Sequence, residues 1–509
     1  MATPVLDTSA LCAAPPTASA ARVVTQRVRA TGLERDSLTS RTAAWINELV
    51  EVTRAQAVPG GLRLHLRTGA RILLLAESPH RPEAELRDTV LLTAFCEDPG
   101  LTAPDLLAEV LATVERQPFL SVEWDELQAQ MPLTSHLPDC LDPGVLGGVA
   151  PVLTVHHMSD FLVLLDAVRR LGVPPQAITV LDKGYSYLHT RRVDAHLAAL
   201  GVSVFPWKRA AEALDDHAGR AAALGRRGLL VDDGGYTLPV LIEQRPDLLP
   251  RFCGLVEQTT SGITKLSAYG QLPMPVFSVA QSRLKSTIEP FGVADAAVRN
   301  VLRLLPNEKF EGRPALVLGY GRIGRQLAEI LRSRRMRVAV YDHAIAPLVA
   351  AHEQGFVTAR TLPELLQSHQ PMLIVGATGS TSLLGEHAAH VGADCYAVST
   401  TSRQHEFAVQ DLTDLAVTVR DLGTTGTELE LPSGARLTLV GDGFPVNFHH
   451  AESMPNRYSD LIMAAMVMGA VTLARPGHAF EDGHNLEQTD RVLESCGLLE
   501  RYLDQFGPK

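Results

Sequence analysis

With 509 residues, of which 46% are hydrophobic and 20% charged, the chain is too long for a single core and apolar enough to fold as two or three globular domains. A formal net charge of -11 argues against a nucleic-acid partner, because no dense Lys/Arg stripe supplies the counterion release that drives such binding. The six cysteines, Cys12, Cys96, Cys140, Cys253, Cys395 and Cys496, form no C-x-x-C pair, so neither a zinc site nor a disulfide framework is expected, and a reducing cytoplasm is the expected compartment.

The first twenty residues lack a basic segment followed by an apolar one and read as a tail rather than a secretion signal. Arg41 to Gln56 has helical spacing, Gly61 to Ser78 reads as two alternating strands around Thr68-Gly69, and another helix is expected over Pro104 to Arg116. These elements predict a small α+β extension over residues 1–125. Pro132 to Pro151 reads as a linker or an irregular entry.

From Val152 short apolar strands alternate with amphipathic helices: Val152 to Val155, a helix from Ser159, Ala177 to Val180, a helix over Arg191 to Leu200, Val202 to Phe205 and Gly228 to Val231. Pro290 to Leu304 reads as a connecting helix. A second series follows, with strands at Ala315 to Leu318, Arg337 to Tyr341, Met372 to Val375 and Cys395 to Ser399. The order predicts an α/β fold with two doubly wound parallel-sheet domains facing across a cleft, one over 126–289 and 455–509, the other over 290–454. Leu461 to Ala474, the longest apolar run, falls short of the ~20 residues that cross a bilayer and is expected to be a buried helix, with no membrane partner.

A glycine string is weak evidence by itself, but Gly319-Tyr320-Gly321-Arg322-Ile323-Gly324 follows a strand and opens a helix with apolar Ile323, Leu327, Ile330 and Leu331. Gly319 permits the tight turn, Gly321 lets the backbone approach a pyrophosphate, and Gly324 lets the helix pack closely on the strand. Asp342, at the end of the next strand, sits near the ~20-residue offset of an acid that binds a ribose 2′-hydroxyl and repels a 2′-phosphate. The expected cofactor is therefore NAD, and residues 290–454 are its domain.

Further motifs carry a resemblance. His156-His157-Met158, Val231-Asp232-Asp233-Gly234-Gly235, Glu257-Gln258-Thr259-Thr260-Ser261-Gly262 and Leu284-Lys285-Ser286 resemble, in order and spacing, segments of the S-adenosylhomocysteine hydrolase family. The resemblance covers about Val152 to Ala474. It implies that bound NAD oxidises a ribose 3′-hydroxyl, that the ketone acidifies the neighbouring C4′ hydrogen, that the 5′ substituent is expelled, and that the electrons return within the same turnover. It also implies Lys285, His157 and Asp233 as catalytic residues. A buried lysine can be tuned to take a proton, and a His and an Asp can exchange one with the leaving group or with water. Thr259, Thr260, Ser261, Thr378, Gly379 and Asn447 are implied as cofactor contacts beside the glycine loop, and a homodimer or homotetramer as the assembly.

The departures define the expected substrate. Gln258 stands where the family has a second Glu, and Glu289-Pro290 where it has Asp-Asn; Gln258 and Glu289 are retained as site candidates. Thr401-Ser402-Arg403 replaces a Gly-His-Phe loop, Ser453-Met454-Pro455 a Gly-His-Pro segment, and Phe161 a Glu that helps hold adenine. The expected function is a dehydratase or lyase acting on a nucleoside-like small molecule. S-adenosylhomocysteine hydrolysis proper, a non-catalytic NAD-binding regulator and an ordinary dehydrogenase are the alternatives.

Each candidate also has a plainer reading. Lys285 could be a solvated domain-edge lysine, Asp233 an Asx-turn carboxylate, and His157 a satisfied interior histidine. The pairs His156-His157 and His449-His450 are not expected to bind a metal, since neighbours on a strand face opposite ways.

Overall fold

The computed structural model describes residues 23–29, 35–77, 89–97, 110–111, 114, 119–185, 187–451 and 453–508. They form two compact units: the described chain up to Trp124 together with Thr190–Ala199, and Asp125–His189 together with the chain from Leu200 onward.

The first unit is built on an antiparallel sheet of β1 (Val23–Arg29), β2 (Val52–Val58), β3 (Gly61–Leu66), β4 (Arg71–Glu77) and β5 (Thr89–Cys96), in the order β1-β5-β4-β3-β2. Alternation decides which face is covered: Ile72, Leu74 and Ala76 of β4 are buried with Leu64, Leu92 and the helix residues Leu38 and Ile46. The helix expected over Arg41 to Gln56 instead spans Arg35–Leu49. It stops where Asn47 Oδ1 accepts a hydrogen bond from the Val52 backbone N–H at 2.8 Å, and the chain turns at Pro59-Gly60 so that β2 pairs with β3. Pairing across that hairpin outweighs the helical spacing of Val52 to Gln56. The first twenty residues, and nearly all of the helix expected over Pro104 to Arg116, lie outside the described residues.

The second unit holds two seven-stranded sheets. The first contains β6 (Val149–Val155), β7 (Thr179–Asp182), β8 (Ser203–Pro206), β9 (Arg227–Asp232), β10 (Phe252–Glu257) and β11 (Pro275–Ser278), with Gly483–His484 at its edge. All pairs are parallel and the order is β8-β7-β6-β9-β10-β11, so the topology reverses between β6 and β9. Strands β6, β10 and β11 are buried along their whole length, as sheets covered on both faces require. The other sheet contains β12 (Pro314–Leu318), β13 (Arg337–Tyr341), β14 (Leu373–Gly376), β15 (Cys395–Ser399), β16 (Thr418–Asp421), β17 (Gly426–Glu430) and β18 (Arg436–Val440). Its order is β13-β12-β14-β15-β18-β17-β16, with a reversal between β12 and β14 and antiparallel pairing of β16 to β17 and β17 to β18. The fold is α/β, two doubly wound sheets plus the N-terminal antiparallel module.

Three expectations need adjustment. Pro132 to Pro151 is no open linker: Pro132–His136 is a short helix whose Leu133 and Thr134 backbone N–H groups donate to the Asp460 carboxylate at 2.9 and 2.7 Å. The helix expected from Pro290 begins at Arg283 and runs through Pro290 to Leu304. Ser282 Oγ caps it by accepting from the Lys285 N–H at 3.2 Å, so the signal for its start was a serine ahead of the proline by two helical turns. Finally, Asn456–Ala474 is long and apolar enough to cross a membrane, yet most of it is buried between neighbours.

Candidate active site

In open α/β sheets, ligands bind outside the carboxyl ends of the strands at the point where the strand order reverses. Here two such points fall in one unit. At the β12/β14 reversal, Gly319 has φ 89°, and a Cβ on it would lie 2.9 Å from the Ala377 carbonyl oxygen. A Cβ on Gly324 would lie 1.9 Å from the Gly319 oxygen, which is the close helix-on-strand contact. A Cβ on Gly321 would meet nothing within 4 Å, so this backbone faces open space at the start of the helix Arg322–Ser333. Ile323 is half-buried behind it. The Arg322 guanidinium donates to Ser286 Oγ at 2.7 Å, tying the loop to the helix that carries Lys285. Asp342 faces the loop and accepts from the Tyr320 N–H and the Ala344 N–H, each at 2.8 Å.

Past β14, Thr378 and Gly379 are held by Glu406. This buried carboxylate accepts from Thr378 Oγ1 at 2.8 Å, from the Thr378 N–H at 3.1 Å, and from Ser382 Oγ and Thr401 Oγ1, while Thr401 Oγ1 accepts from the Gly379 N–H at 3.1 Å. Burial raises its pKa against those donors. Sequence reading passed over Glu406 because one Glu in a loop carries no motif. Asn447 is buried, its Nδ2 3.3 Å from Ser453 Oγ, and its Oδ1 has no hydrogen-bond partner among the described residues. An open glycine backbone and a buried amide oxygen awaiting a donor both fit a dinucleotide carrying a carboxamide.

At the β6/β9 reversal a continuous chain of polar contacts forms. His156 Nε2 lies 2.9 Å from Lys183 Nζ and 3.3 Å from Asp233 Oδ2; Lys183 Nζ donates to Asp233 Oδ1 at 2.8 Å. Gln258 Nε2 donates to Asp233 Oδ2 at 2.7 Å. Lys285 Nζ donates to the Gln258 carbonyl oxygen, lies 3.2 Å from Gln258 Oε1, and pairs with Glu289 Oε1 at 3.0 Å, one helical turn on. His156 Nδ1 meets the Tyr187 hydroxyl, and its ring stacks on Phe448 from the other sheet at 4.0 Å.

The electrostatics follow from burial and neighbours. Burial, then the Lys183 charge, bring His156 down to about 3, so its ring is neutral. Burial acts to raise Asp233, but the Lys183 and His156 contacts outweigh it and hold the carboxyl below its usual range. Burial lifts the Tyr187 hydroxyl well above its ordinary value.

The structure gathers Lys285, Asp233, Gln258 and Glu289 in this group. His157 is buried beside it, its ring stacked at 6.3 Å on Phe161. Its neighbour His156, which sequence reading did not single out as catalytic, makes the contacts to Lys183 and Asp233. Lys183 was also missed, although its place just past β7 is where the strand-end rule puts ligand contacts. Thr259 Oγ1 caps the helix Thr260–Leu266, accepting from the Gly262 N–H at 2.9 Å and donating to Glu257; Thr260 and Ser261 stand exposed on its first turn. Glu257 in turn accepts from the Gly234 and Gly235 N–H groups, both at 3.1 Å, which fixes the turn bearing Asp233. His449 and His450 lie in a turn, His450 with φ 46°, and their ring centroids are 4.4 Å apart. Among the described residues no group of three His, Cys, Asp or Glu side chains is arranged to hold a metal.

Fold and glycine loop together define an NAD-binding α/β protein with two doubly wound sheets. Residues 300–382 match the model of the D-isomer specific 2-hydroxyacid dehydrogenase, NAD binding domain. The chain is a divergent relative of the adenosylhomocysteinases. It is 26% identical over 371 residues to "Adenosylhomocysteinase" of Aeropyrum pernix, covering 70% of this chain and 84% of that one. It is also 26% identical over 345 residues to "S-inosyl-L-homocysteine hydrolase" of Methanopyrus kandleri, covering 66% and 79%. Among solved structures, a dipicolinate synthase from Bacillus halodurans aligns with 11% identity and a TM-score of 0.36, over 65% of this chain and 99% of that one.

Proposed function

We propose that this chain is an enzyme that retains NAD and uses it to oxidise, transiently, a hydroxyl of a nucleoside sugar, so that the substituent on the adjacent carbon is eliminated. The observation that carries this reading is the unbroken chain of His156, Lys183, Asp233 and Gln258, at the carboxyl ends of β6, β7, β9 and β10, with Lys285 and Glu289 of the helix Arg283–Leu304. When bound, NAD supplies a reversible acceptor for the electron pair of the sugar C–H. Gly321 and Asp342 would hold the dinucleotide, and Asn447 Oδ1 would accept a hydrogen bond from its carboxamide. Lys285 Nζ, after passing its own proton to the paired Glu289 carboxylate, takes the sugar hydroxyl's proton, and both protons return at the end of the turnover. The His156, Lys183 and Asp233 group takes the proton that the ketone acidifies and passes it to the departing 5′ substituent, so the net reaction is loss of H–X without net redox.

Replacement of a family acid by Gln258, and of the Gly-His-Phe loop by Thr401-Ser402-Arg403, favours an elimination that ends at the alkene. A second reading, in which water then adds and a thioether is hydrolysed, is favoured by the names of the relatives. Rapid mixing of NAD-loaded protein with adenosine, inosine and S-adenosylhomocysteine tests both. The elimination reading expects a transient rise in reduced-nicotinamide absorbance, absent in Lys285→Ala, and an unsaturated nucleoside as product. Both readings release the thiol from S-adenosylhomocysteine, so recovery of saturated adenosine, rather than the unsaturated nucleoside, beside the thiol supports the hydrolytic reading instead. A panel with neither signal removes both and leaves an NAD-binding regulator.

A further inference from the structure

The loop after β15 carries a cation across the cleft. Arg403 adopts a left-handed backbone, φ 64°, which a side-chain-bearing residue keeps only when its surroundings hold it there. The holding contacts come from the other sheet: the Arg403 N–H donates to the Tyr185 hydroxyl at 2.7 Å, and Arg403 Nε donates to the Tyr236 hydroxyl at 3.0 Å. The guanidinium lies over the Tyr236 ring at 4.6 Å and the Trp207 ring at 5.4 Å. Lys265 Nζ lies 4.7 Å from the same Tyr236 ring, with the Gly234 carbonyl as its hydrogen-bond acceptor. Tyr185 follows β7, Trp207 follows β8 and Tyr236 follows β9, all strand ends of one rim.

Two cations therefore converge on one aromatic ring, and among the described residues neither forms an ion pair. The nearby carboxylates hold other donors: Asp233 has Lys183 and Gln258, Asp232 Oδ2 has the Tyr236 and Thr237 N–H groups while its buried Oδ1 has no partner among the described residues, and Glu257 has its four donors. Burial first, then the Arg403 charge, bring Lys265 down to about 8 against the opposing pull of Asp232 and Glu257. The Nη groups of Arg403 retain a planar donor edge suited to two oxygens of one anion. Lys183 Nζ, of the proton-handling group, lies 5.8 Å from the same Tyr236 ring.

We propose that Arg403 and Lys265, framed by Trp207 and Tyr236, form a subsite for an oxyanion carried by the substrate, a phosphate or a carboxylate, and that the substrate is accordingly an anionic nucleoside. The proposal rests on the nucleoside reading above and names its substrate class. Arg403 acts here as a specificity residue, contacting the oxyanion of the substrate's 5′ substituent.

The test is calorimetric binding to the NAD-loaded protein of three probes: adenosine, adenosine 5′-monophosphate and adenosine-5′-carboxylic acid. The wild type is expected to bind one of the anions at least tenfold more tightly than adenosine, the preferred one identifying phosphate or carboxylate as the source. Arg403→Met is expected to lose that preference and keep adenosine affinity, and Arg403→Lys to retain part of it; unchanged thermal unfolding checks that each variant is folded. Equal affinity for all three probes, no measurable binding of either anion, or a preference that survives Arg403→Met overturns the subsite. Because binding is read without turnover, an anion preference in a protein that never reduces its nicotinamide would remove the oxidation reading and leave the subsite standing.

Discussion

Lys183 decides how the cleft group is charged. It donates to His156 and Asp233 together, so the ring stays neutral and the carboxylate ionised within one hydrogen-bonded cluster. Lys183→Met leaves a buried carboxylate without its main counter-charge, an arrangement that costs about 3–5 kcal/mol when one partner of a buried pair is removed. The expected result is a loss of that order in denaturant unfolding, together with a rise in the His156 pKa read by ring NMR, since the remaining Asp233 charge favours the protonated ring. The sign of the pH effect follows. With a folded pKa of about 3 against an ordinary 6.5, wild-type His156 contributes stability that is complete above 6.5 and declines as pH falls toward 3. In Lys183→Met the same decline should be shallower; an unchanged slope between pH 6.5 and 4 would remove His156 from the cluster. The residue types of this group were legible in the sequence for Asp233, Gln258, Lys285 and Glu289, whose motifs have fixed spacing. His156 and Lys183 were not, because which face a strand end presents, and which strand ends meet, are properties of the assembled sheet.

The glycine loop was legible as an element because strand, turn and helix each carry their own local signal. The structure adds a distinction between its glycines that spacing alone does not make. A methyl at Gly324 collides with the Gly319 carbonyl, whereas a methyl at Gly321, with φ -74°, meets only open space. Gly324→Ala is therefore expected to destabilise the fold by about 1–3 kcal/mol, as overpacking does. Gly321→Ala is expected to leave the unfolding midpoint unchanged while weakening NAD binding at least tenfold, about 1.4 kcal/mol. Equal NAD affinity in Gly321→Ala and wild type, measured by calorimetry on the stripped protein, would contradict this placement of the pyrophosphate. Elements without such local signals were harder to read. Strand β2 looked helical until its hairpin partner was known, and the start of the Lys285 helix was hidden because Pro290 draws attention as a boundary although Ser282 sets the cap. The antiparallel strands β16 and β17 went unpredicted: β16 is an exposed edge strand and β17, paired between β16 and β18, is only partly buried, so neither carries the continuous apolar run that marks β12.

At the scale of the second unit, two doubly wound sheets bring their reversal points to one cleft, with Phe448 stacked on His156 and Arg403 bonded to Tyr185 and Tyr236 as the contacts between them. On the proposed reading, altered loops redirect the chemistry while the glycine loop stays intact, with the dinucleotide at one reversal point and the proton-handling group at the other. The α/β alternation was readable from the sequence, whereas the bridge made by Arg403 was visible only as a replaced loop. Asp342→Ala gives a check on the cofactor side, with NADP affinity expected to approach that for NAD because the carboxylate no longer faces the ribose. The central claim, transient oxidation with restoration, is tested most directly by incubating NAD-loaded protein with a nucleoside it binds in deuterated water and reading the sugar protons by NMR. The account expects deuterium at the sugar carbon next to the oxidised one, in wild type but not in Lys285→Ala, with no net NADH accumulated. Stoichiometric NADH release with every sugar C–H unexchanged would contradict it.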